Sequence, residues 1–153
     1  MNYIKDIRKK IGHDMLILAG AGVLPYRDGK LLLQQRQDNG CWAMHGGCKE
    51  LGESPEQAAA RELFEETGLT ANSLMLFGVY SGIDYRHTYP NGDQVEIVNI
   101  VYTCDDFSGE LHPQLEEVKA LQWFDIDDLP ENLSPPDAAP ILAFAAHINS
   151  AQR

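Results

Sequence analysis

The pattern of apolar and polar residues along the chain predicts a series of strands. The mostly apolar run MLILAGAGVLPY at 15–26 predicts a strand buried on both faces, because such strands lose the alternation of polar and apolar residues. The segment RDG at 27–29 is a turn signal, and KLLLQQR at 30–36 predicts the returning strand of a hairpin. Further strands are expected at 73–82, 95–104 and 119–126, with a turn at 89–94.

A helix is expected near each end of the chain. Residues 2–11 predict a short basic helix, and residues 135–152 predict a closing helix whose main part is about 136–150. Strands and helices alternate along the chain and are expected to share one core, so the predicted fold class is α/β. The length suits a single domain over residues 1–153.

The central helix is expected at 55–67. Ser54 is a good N-cap, Pro55 suits the first helical position, and Gly68 is a typical helix terminator. The stretch before it, 40–53, predicts a Gly-rich loop.

The composition limits the classes of function. The chain has 153 residues, of which 44% are hydrophobic, and its net charge is −11. Proteins that bind the phosphate backbone of nucleic acids are generally basic, so we expect no nucleic-acid partner. A phosphate-bearing small molecule would need a cation between itself and this acidic chain.

Cysteine use and hydropathy favour a cytoplasmic location. The chain has three cysteines, Cys41, Cys48 and Cys104, and no C-x-x-C motif. An odd number without this motif disfavours a disulfide framework or a thiolate zinc site. The first residues, MNYIKDIRKKIGH, are charged throughout, unlike a signal peptide. No run reaches the roughly 18 apolar residues of a membrane span, so we expect no membrane contact. A homodimer is left open.

Three glutamates crowd the second half of the central helix. Glu62, Glu65 and Glu66 share one arc of a helical projection, with Arg61 at its edge. The opposite arc, expected to face the core, consists of Ala59, Ala60, Leu63, Phe64 and Thr67. Like charges at this spacing destabilise a helix. Either the acidic arc is a solvated surface, or its carboxylates bind a cation.

The chemistry of these side chains favours hard cations. Carboxylate oxygens are typical ligands of Mg²⁺ or Mn²⁺ and are less suited to zinc. A histidine-based site is not expected, because no paired metal-ligand spacing occurs among His13, His45, His87, His112 and His147.

The sequence around this helix resembles a known family motif. Gly47 is followed after five residues by Glu53, and after seven more by the run RELFEETGL at 61–69. This spacing matches the Nudix box, G-x5-E-x7-R-E-U-x-E-E-x-G-U, where U is a bulky aliphatic residue. The hairpin before the box and the segment LQWFDIDDLP after it are also similar to this family, so the resemblance covers the core at about 15–145.

The resemblance implies a fold, a reaction and a set of site residues. The implied fold is an α/β/α sandwich around a mixed sheet, and the implied reaction hydrolyses a nucleoside diphosphate linked to another moiety X. The implied ligands of Mg²⁺ or Mn²⁺ are Glu62, Glu65, Glu66 and the carbonyl of Gly47. Glu53 and Arg61 are expected to form an ion pair that holds the loop against the helix.

The implied chemistry needs a proton acceptor. A metal-activated water attacks a phosphorus of the diphosphate, and a carboxylate takes the proton of that water. In this family the base is a glutamate of the box helix or one from a later loop. Glu117, shortly before Trp123, is the loop candidate, and Glu116 is the second choice. Glu62 and Glu66 are the catalytic candidates on the helix.

Two further residues are candidates for substrate contacts. Family members often carry proline before the double glycine, where this chain has His45, which either replaces the proline structurally or contributes to the active site. Tyr85 lies sixteen residues after Leu69, where a tyrosine hints at dinucleoside polyphosphates in this family. Packing within the aromatic segment YSGIDYRHTY is the alternative explanation.

Other functions remain open at this stage. A nucleotide-sensing domain without catalysis is one, although the intact box favours an enzyme. A diphosphate isomerase is another, and it would use a cysteine such as Cys48. A calcium-binding module is disfavoured because no D-x-D-x-D-G loop occurs. The box predicts a pyrophosphate and a metal but not the nucleoside.

Overall fold

The computed structural model describes residues 2–151, in which three α-helices surround one large sheet. The helices are α1 Tyr3–Ile11, α2 Pro55–Thr67 and α3 Pro135–Ala151. The strands are β1 Leu16–Arg27, β2 Lys30–Arg36, β3 Trp42–Ala43, β4 His45–Cys48, β5 Thr70–Ala71, β6 Met75–Tyr80, β7 Arg86–Thr88, β8 Gln94–Cys104, β9 Phe107–Ser108 and β10 Val118–Asp125. Gln152, the last residue predicted for the closing helix, lies outside the described residues, as do Met1 and Arg153.

The sheet is mixed, as predicted. Its main strands are arranged in the order β10-β2-β1-β8-β6, and β3 pairs with β2, β4 with β1 and β7 with β8. The long pair β1–β8 is parallel, from Leu16 opposite Val95 to Pro25 opposite Cys104, and the other pairs are antiparallel.

The helices form layers on both faces of the sheet. On one face α2 buries Ala59 and Leu63 against Val23 and Tyr102. On the other face α3 buries Ile141 and Phe144, and the ring of Phe144 meets the ring of Phe77 edge-on at 5.6 Å. The expected α/β/α sandwich is therefore confirmed.

The hairpin between β1 and β2 has the geometry its sequence predicts. Asp28 and Gly29 both have positive φ, 54° and 77°, and Arg27 pairs with Lys30. A two-residue Asp-Gly loop in which both residues have positive φ matches the right-handed twist of the flanking strands. Strand β2, whose Gln34 contributes to the site described below, therefore leaves the turn in a defined register.

One expectation about β1 was wrong. The segment is buried on both faces only from Gly20 to Pro25, whereas Ile17 is 67% exposed and Ala19 is also exposed. The buried side chains of α2 pack at Ala21 and Val23, so the first half of the strand extends beyond the helix that would cover it.

The predicted loop at 40–53 is partly strand. Within it β4 pairs with β1, from Gly20 opposite Cys48 to Val23 opposite His45. A Cβ added to Gly46 would collide with the carbonyl oxygen of Ala21. The glycines therefore allow the backbone of β4 to approach that of β1 closely. In the sequence, such a Gly-rich strand has the same pattern as a loop.

The region between the strands predicted at 73–82 and 95–104 is also more structured than expected. The strand predicted at 73–82 is shorter, Met75–Tyr80, and a 3₁₀ turn follows at Ile83–Tyr85. Strand β7 then forms a hairpin with β8 around the predicted turn. No helix within residues 2–151 is long and apolar enough to cross a membrane.

The close approach of β4 to β1 predicts a large effect of one methyl group. Gly46→Ala should lower the free energy of unfolding by about 1–3 kcal/mol, the usual cost of overpacking, because backbone and not a flexible side chain blocks the new atom. Gly20→Ala on the facing strand is the matched control, since its nearest contacts would be at 3.5 Å. Urea denaturation of both variants measures the difference, and equal stabilities would contradict the register of β4.

Candidate active site

Helix α2 carries the candidate ligands and is capped at both ends. The Ser54 hydroxyl accepts from the Gln57 N–H at 3.1 Å, and the Gln57 side chain accepts from the Ser54 N–H at 2.9 Å. Gly68 has φ 83° and donates its N–H to the Phe64 carbonyl at 2.9 Å. This capping box and left-handed terminator explain why the helix begins and ends where the sequence predicts.

Arg61 ties the preceding loop to α2. Its Nε lies 2.6 Å from Glu53 Oε2 and its Nη2 lies 3.0 Å from Glu53 Oε1, a bidentate ion pair. Nη2 also donates to the Cys48 carbonyl at 3.2 Å, and Glu53 accepts from the Glu50 N–H at 2.8 Å. Hydrogen bonding from Arg61 lowers the pKa of Glu53 to about 2. The pair therefore holds the loop while staying charged at neutral pH.

The same guanidinium contacts two candidate metal ligands. Arg61 Nη1 lies 3.0 Å from Glu62 Oε1 and 3.3 Å from Glu65 Oε2. The Glu62 side chain is 16% exposed, whereas that of Glu65 is 49% exposed. The two carboxylates therefore share one side of the helix but differ in their contact with solvent.

Glu66 is buried, which corrects the expectation of an exposed acidic arc. Its Oε2 accepts from Gln34 Nε2 at 2.7 Å and from the Gly46 N–H at 3.1 Å. Phe64, expected to face the core, is instead 58% exposed. The buried side of the helix contains Ala58, Ala59, Leu63, Glu66 and Thr67. The burial of a carboxylate is tolerated because β2 and β4 supply donors to it.

Burial and charge repulsion act together on Glu62. Burial first, and then the neighbouring Glu66 carboxylate, raise the pKa of Glu62 to about 7, against the opposing effect of Arg61. A Cβ added to Gly47 would lie 2.6 Å from Glu62 Cδ, so a side chain at this position would displace the carboxylate. Near neutral pH the Glu62 carboxyl of the metal-free protein is therefore only partly ionised, and a bound cation would favour its charged form.

The donor set fits a hard divalent cation. Glu62, Glu65 and Glu66 offer only oxygen, which suits Mg²⁺ or Mn²⁺. Within residues 2–151 no three acidic, histidine or cysteine side chains already converge as metal ligands. Arg61 contacts Glu62 and Glu65 instead, but burial and the charge of Glu66 outweigh its effect and raise the pKa of Glu62.

His45 lies behind the site. Its ring has no exposed surface, and Nε2 lies 3.1 Å from the Leu32 carbonyl, which requires the proton on that nitrogen. Nδ1 lies 3.7 Å from Glu66 Oε2 and has no hydrogen-bond partner among the described residues. Because the ring is fully buried, it presents no surface to a substrate. The role of His45 as a substrate contact therefore stays a prediction.

Tyr85 ends the 3₁₀ turn Ile83–Tyr85 and Glu117 lies in the turn before β10, and within residues 2–151 neither is shown in contact with the glutamates of α2. The ring of Tyr85 lies 6.4 Å from that of Tyr80, and burial raises the pKa of its hydroxyl. The Glu117 carbonyl accepts from the Gln37 N–H at 3.1 Å at the end of β2, and its side chain is exposed. The neighbouring Glu116 is exposed as well. The proposed roles of these residues remain predictions.

Two residues of the site were not predicted. Gln34 contacts Glu66 directly, and the sequence does not distinguish it from the polar Gln35 and Arg36 that follow it in β2. Asp137, in the first turn of α3, lies near Met44, Arg36 and Glu66, and burial raises its pKa to about 7. No sequence signal singled out Asp137, because an acid in a first helical turn is ordinary.

Comparison with known proteins decides the family. The sequence model of the NUDIX domain matches residues 17–144, which is most of the chain. The chain belongs to the Nudix hydrolase family. The box identified in the sequence therefore forms the Nudix loop and helix α2 in this fold.

Individual Nudix relatives have different named activities. The ADP-ribose pyrophosphatase of Methanocaldococcus jannaschii is 39% identical over 108 residues, covering 69% of this chain and 60% of that protein. An oxidized purine nucleoside triphosphate hydrolase of Danio rerio is 34% identical over 112 residues, covering 71% of this chain and 66% of that protein. The chain thus spans about three fifths to two thirds of these relatives.

A solved structure supports the same fold. The crystal structure of a MutT NUDIX hydrolase from Burkholderia pseudomallei has a TM-score of 0.72 and 33% identity. The comparison covers 82% of this chain and 96% of that one. The similarity extends well beyond the box and includes the sheet on which α2 packs.

The raised pKa of Glu62 predicts that metal-free protein loses stability as pH rises. A carboxyl whose pKa is higher when folded stabilises fully below its unfolded value, about 4.5, and loses this effect as pH rises through about 7. Urea denaturation in chelator should therefore show a steeper fall in unfolding free energy from about pH 5 to pH 8 for wild type than for Glu62→Gln.

A matched comparison isolates Glu62 from other groups. Asp137 titrates in both proteins, so only the difference between their pH profiles reports on Glu62. Glu116→Gln, at an exposed position, should follow the wild-type profile. Parallel profiles for wild type and Glu62→Gln would contradict the assigned environment of this carboxyl.

Proposed function

We propose that this protein is a Mg²⁺- or Mn²⁺-dependent pyrophosphohydrolase acting on a nucleoside diphosphate linked to another moiety. The observation that carries this proposal is the Nudix helix itself, on which Glu62, Glu65 and Glu66 lie together and burial, followed by the charge of Glu66, raises the pKa of Glu62 to about 7. A bound cation would relieve the repulsion between these carboxylates while leaving the Arg61–Glu53 ion pair in place. The named activities of relatives support the same reaction class.

The substrate is proposed only as a class. One relative is named for ADP-ribose and another for oxidized purine nucleoside triphosphates. Both compounds contain a phosphoric anhydride attached to a nucleoside, and this shared chemistry is what the box residues recognise. The proposed partner is therefore a small nucleoside diphosphate derivative, whose nucleoside the carboxylate helix does not select.

The proposed ligands divide between helix and loop. Glu62, Glu65, Glu66 and the Gly47 carbonyl would hold the cation, which when bound neutralises the diphosphate and lowers the pKa of a water. Arg61 and Glu53 keep the loop in place beside them. The exposed Glu65 is the carboxylate with the greatest freedom to turn toward the ion.

The proposed proton acceptor is Glu117. The water oxygen forms a bond to phosphorus as the bond from phosphorus to the bridging oxygen breaks, and the water proton passes to the Glu117 carboxylate. This residue lies on the loop between β9 and β10, which is anchored by the His112 N–H donating to the Thr67 carbonyl at 2.7 Å. Glu62 and Glu66 are less suited to this step if their charges are engaged by the cation.

Hydrolysis is better supported than cysteine-based isomerisation. Burial, followed by the charge of Glu62, raises the pKa of the Cys48 thiol. A thiol whose pKa is raised is a poor source of thiolate at neutral pH. Its carbonyl, not its sulfur, takes part in the Arg61 contacts.

Metal dependence is the first test. Nucleoside triphosphates, ADP-ribose, NADH, nucleotide sugars and dinucleoside polyphosphates should be assayed with Mg²⁺ or Mn²⁺, and with chelator. We expect chelator to abolish turnover of the best substrate, and Glu66→Gln to lower it by more than the about 10–100-fold typical of indirect ligand contacts. Glu56→Gln, in the exposed first turn of the same helix, is the control. Full activity in chelator would refute the proposed mechanism.

Glu117→Gln tests the proton acceptor. We expect kcat to fall by about 10²–10⁴, the usual contribution of a general base, while metal affinity stays near that of wild type. The acid limb of the pH–rate profile should also flatten. Glu116→Gln is the neighbouring control, and near-normal kcat in Glu117→Gln would place the base elsewhere, with Glu62 as the next candidate.

A further inference from the structure

The two carboxylate oxygens of Glu66 have different surroundings. Oε2 receives both protein donors, Gln34 Nε2 at 2.7 Å and the Gly46 N–H at 3.1 Å. Within residues 2–151 the structure shows no hydrogen bond to Oε1. One oxygen is therefore used by the protein, while the lone pairs of the other remain available.

Gln34 is held in one orientation by its own contacts. Its Nε2 donates both to Glu66 Oε2 and to the Met44 carbonyl at 3.1 Å, so both amide hydrogens have acceptors. The reversed amide would place an oxygen against two acceptors and is excluded. The side chain is 7% exposed and lies on β2 between β3 and β10, where it has little freedom to move.

We infer that Gln34 is a positioning residue that directs Oε1 of Glu66 toward the cation. This inference rests on the proposed metal-dependent function. Two donors on Oε2 fix the carboxylate plane and make Oε2 the poorer metal ligand, so Glu66 binds the cation through one oxygen. Groups that orient a ligand in this way affect metal affinity without touching the metal.

His45 does not supply this constraint. Its Nδ1 lies 3.7 Å from Glu66 Oε2, beyond hydrogen-bond distance, and its Nε2 is directed to the Leu32 carbonyl at 3.1 Å. The Gly46 N–H belongs to the backbone and is present with any side chain at position 34. The amide of Gln34 is therefore the side-chain contact through which a mutation can release the carboxylate.

A purely structural role for Gln34 makes a different prediction. A buried amide that only satisfies Met44 and Glu66 would, when replaced, lower stability but leave the affinity of the folded protein for metal unchanged. A positioning role lowers metal affinity, and does so only while Glu66 is present to be positioned.

The test is Gln34→Met, which keeps the length of the side chain and removes the donor. Mn²⁺ binding is measured by calorimetry on the full chain without substrate, and we expect the Kd to rise by about 10–100-fold. Gln35→Met is the matched control, because this neighbouring residue lies on the opposite face of β2 and donates to the Gly40 carbonyl at 3.1 Å. Its Mn²⁺ affinity should equal that of wild type.

A second background separates the two roles. In Glu66→Gln, the further change Gln34→Met should alter the Kd for Mn²⁺ by less than about twofold, because the ligand it positions is gone. An equal loss in both backgrounds, or wild-type affinity in Gln34→Met, overturns the inference. Absence of Mn²⁺ binding by wild type would instead refute the proposed function on which the inference rests.

If Gln34→Met does not fold, a variant with a shorter amide, Gln34→Asn, provides the same test. Gln34→Asn keeps a polar group but retracts it by one methylene, so it no longer reaches both Met44 and Glu66. The same rise in Kd is expected for this variant, and thermal melting before each titration confirms that folded protein is compared. Wild-type affinity in a folded Gln34→Asn protein would also overturn the inference.

Discussion

The burial of one carboxylate governs the architecture of this site. Glu66 occupies a core position of α2, and a buried charge is costly unless it is hydrogen-bonded. Its two donors come from β2 and from the β4 backbone, which the glycine pair brings close to β1. Helix, hairpin and Gly-rich segment must therefore assemble together before this charge is satisfied.

That arrangement explains the electrostatics of the remaining glutamates. Glu62, on the preceding turn, is partly buried beside the fixed Glu66 carboxylate, and burial followed by this neighbour raises the pKa of Glu62 to about 7. Arg61 offsets the repulsion for Glu62 and Glu65, but it is also committed to Glu53 and the Cys48 carbonyl. Because Arg61 is shared in this way, the glutamates of α2 keep an excess of negative charge. A divalent cation would neutralise that charge.

Local signals made much of this fold predictable, and long-range contacts account for what was missed. The bounds of α2 follow from Ser54 and Gly68, and the first hairpin follows from its Asp-Gly turn. The spacing of the box identified the family. The burial of Glu66 was not predictable, because its partner Gln34 lies 32 residues away in the chain. The sequence of the helix itself does not indicate this contact. Strand β4 was missed for a related reason, because glycines that admit a neighbouring backbone resemble those of a loop.

The most direct measurement is the position of a manganese ion, located by its anomalous scattering in a crystal grown with Mn²⁺. The account predicts a peak within about 2.5 Å of carboxylate oxygens of Glu62 and Glu66, with Oε1 as the contact from Glu66. A manganese ion bound elsewhere, with Arg61 still between Glu62 and Glu65 and no metal at α2, would contradict the claim that this helix is a metal site.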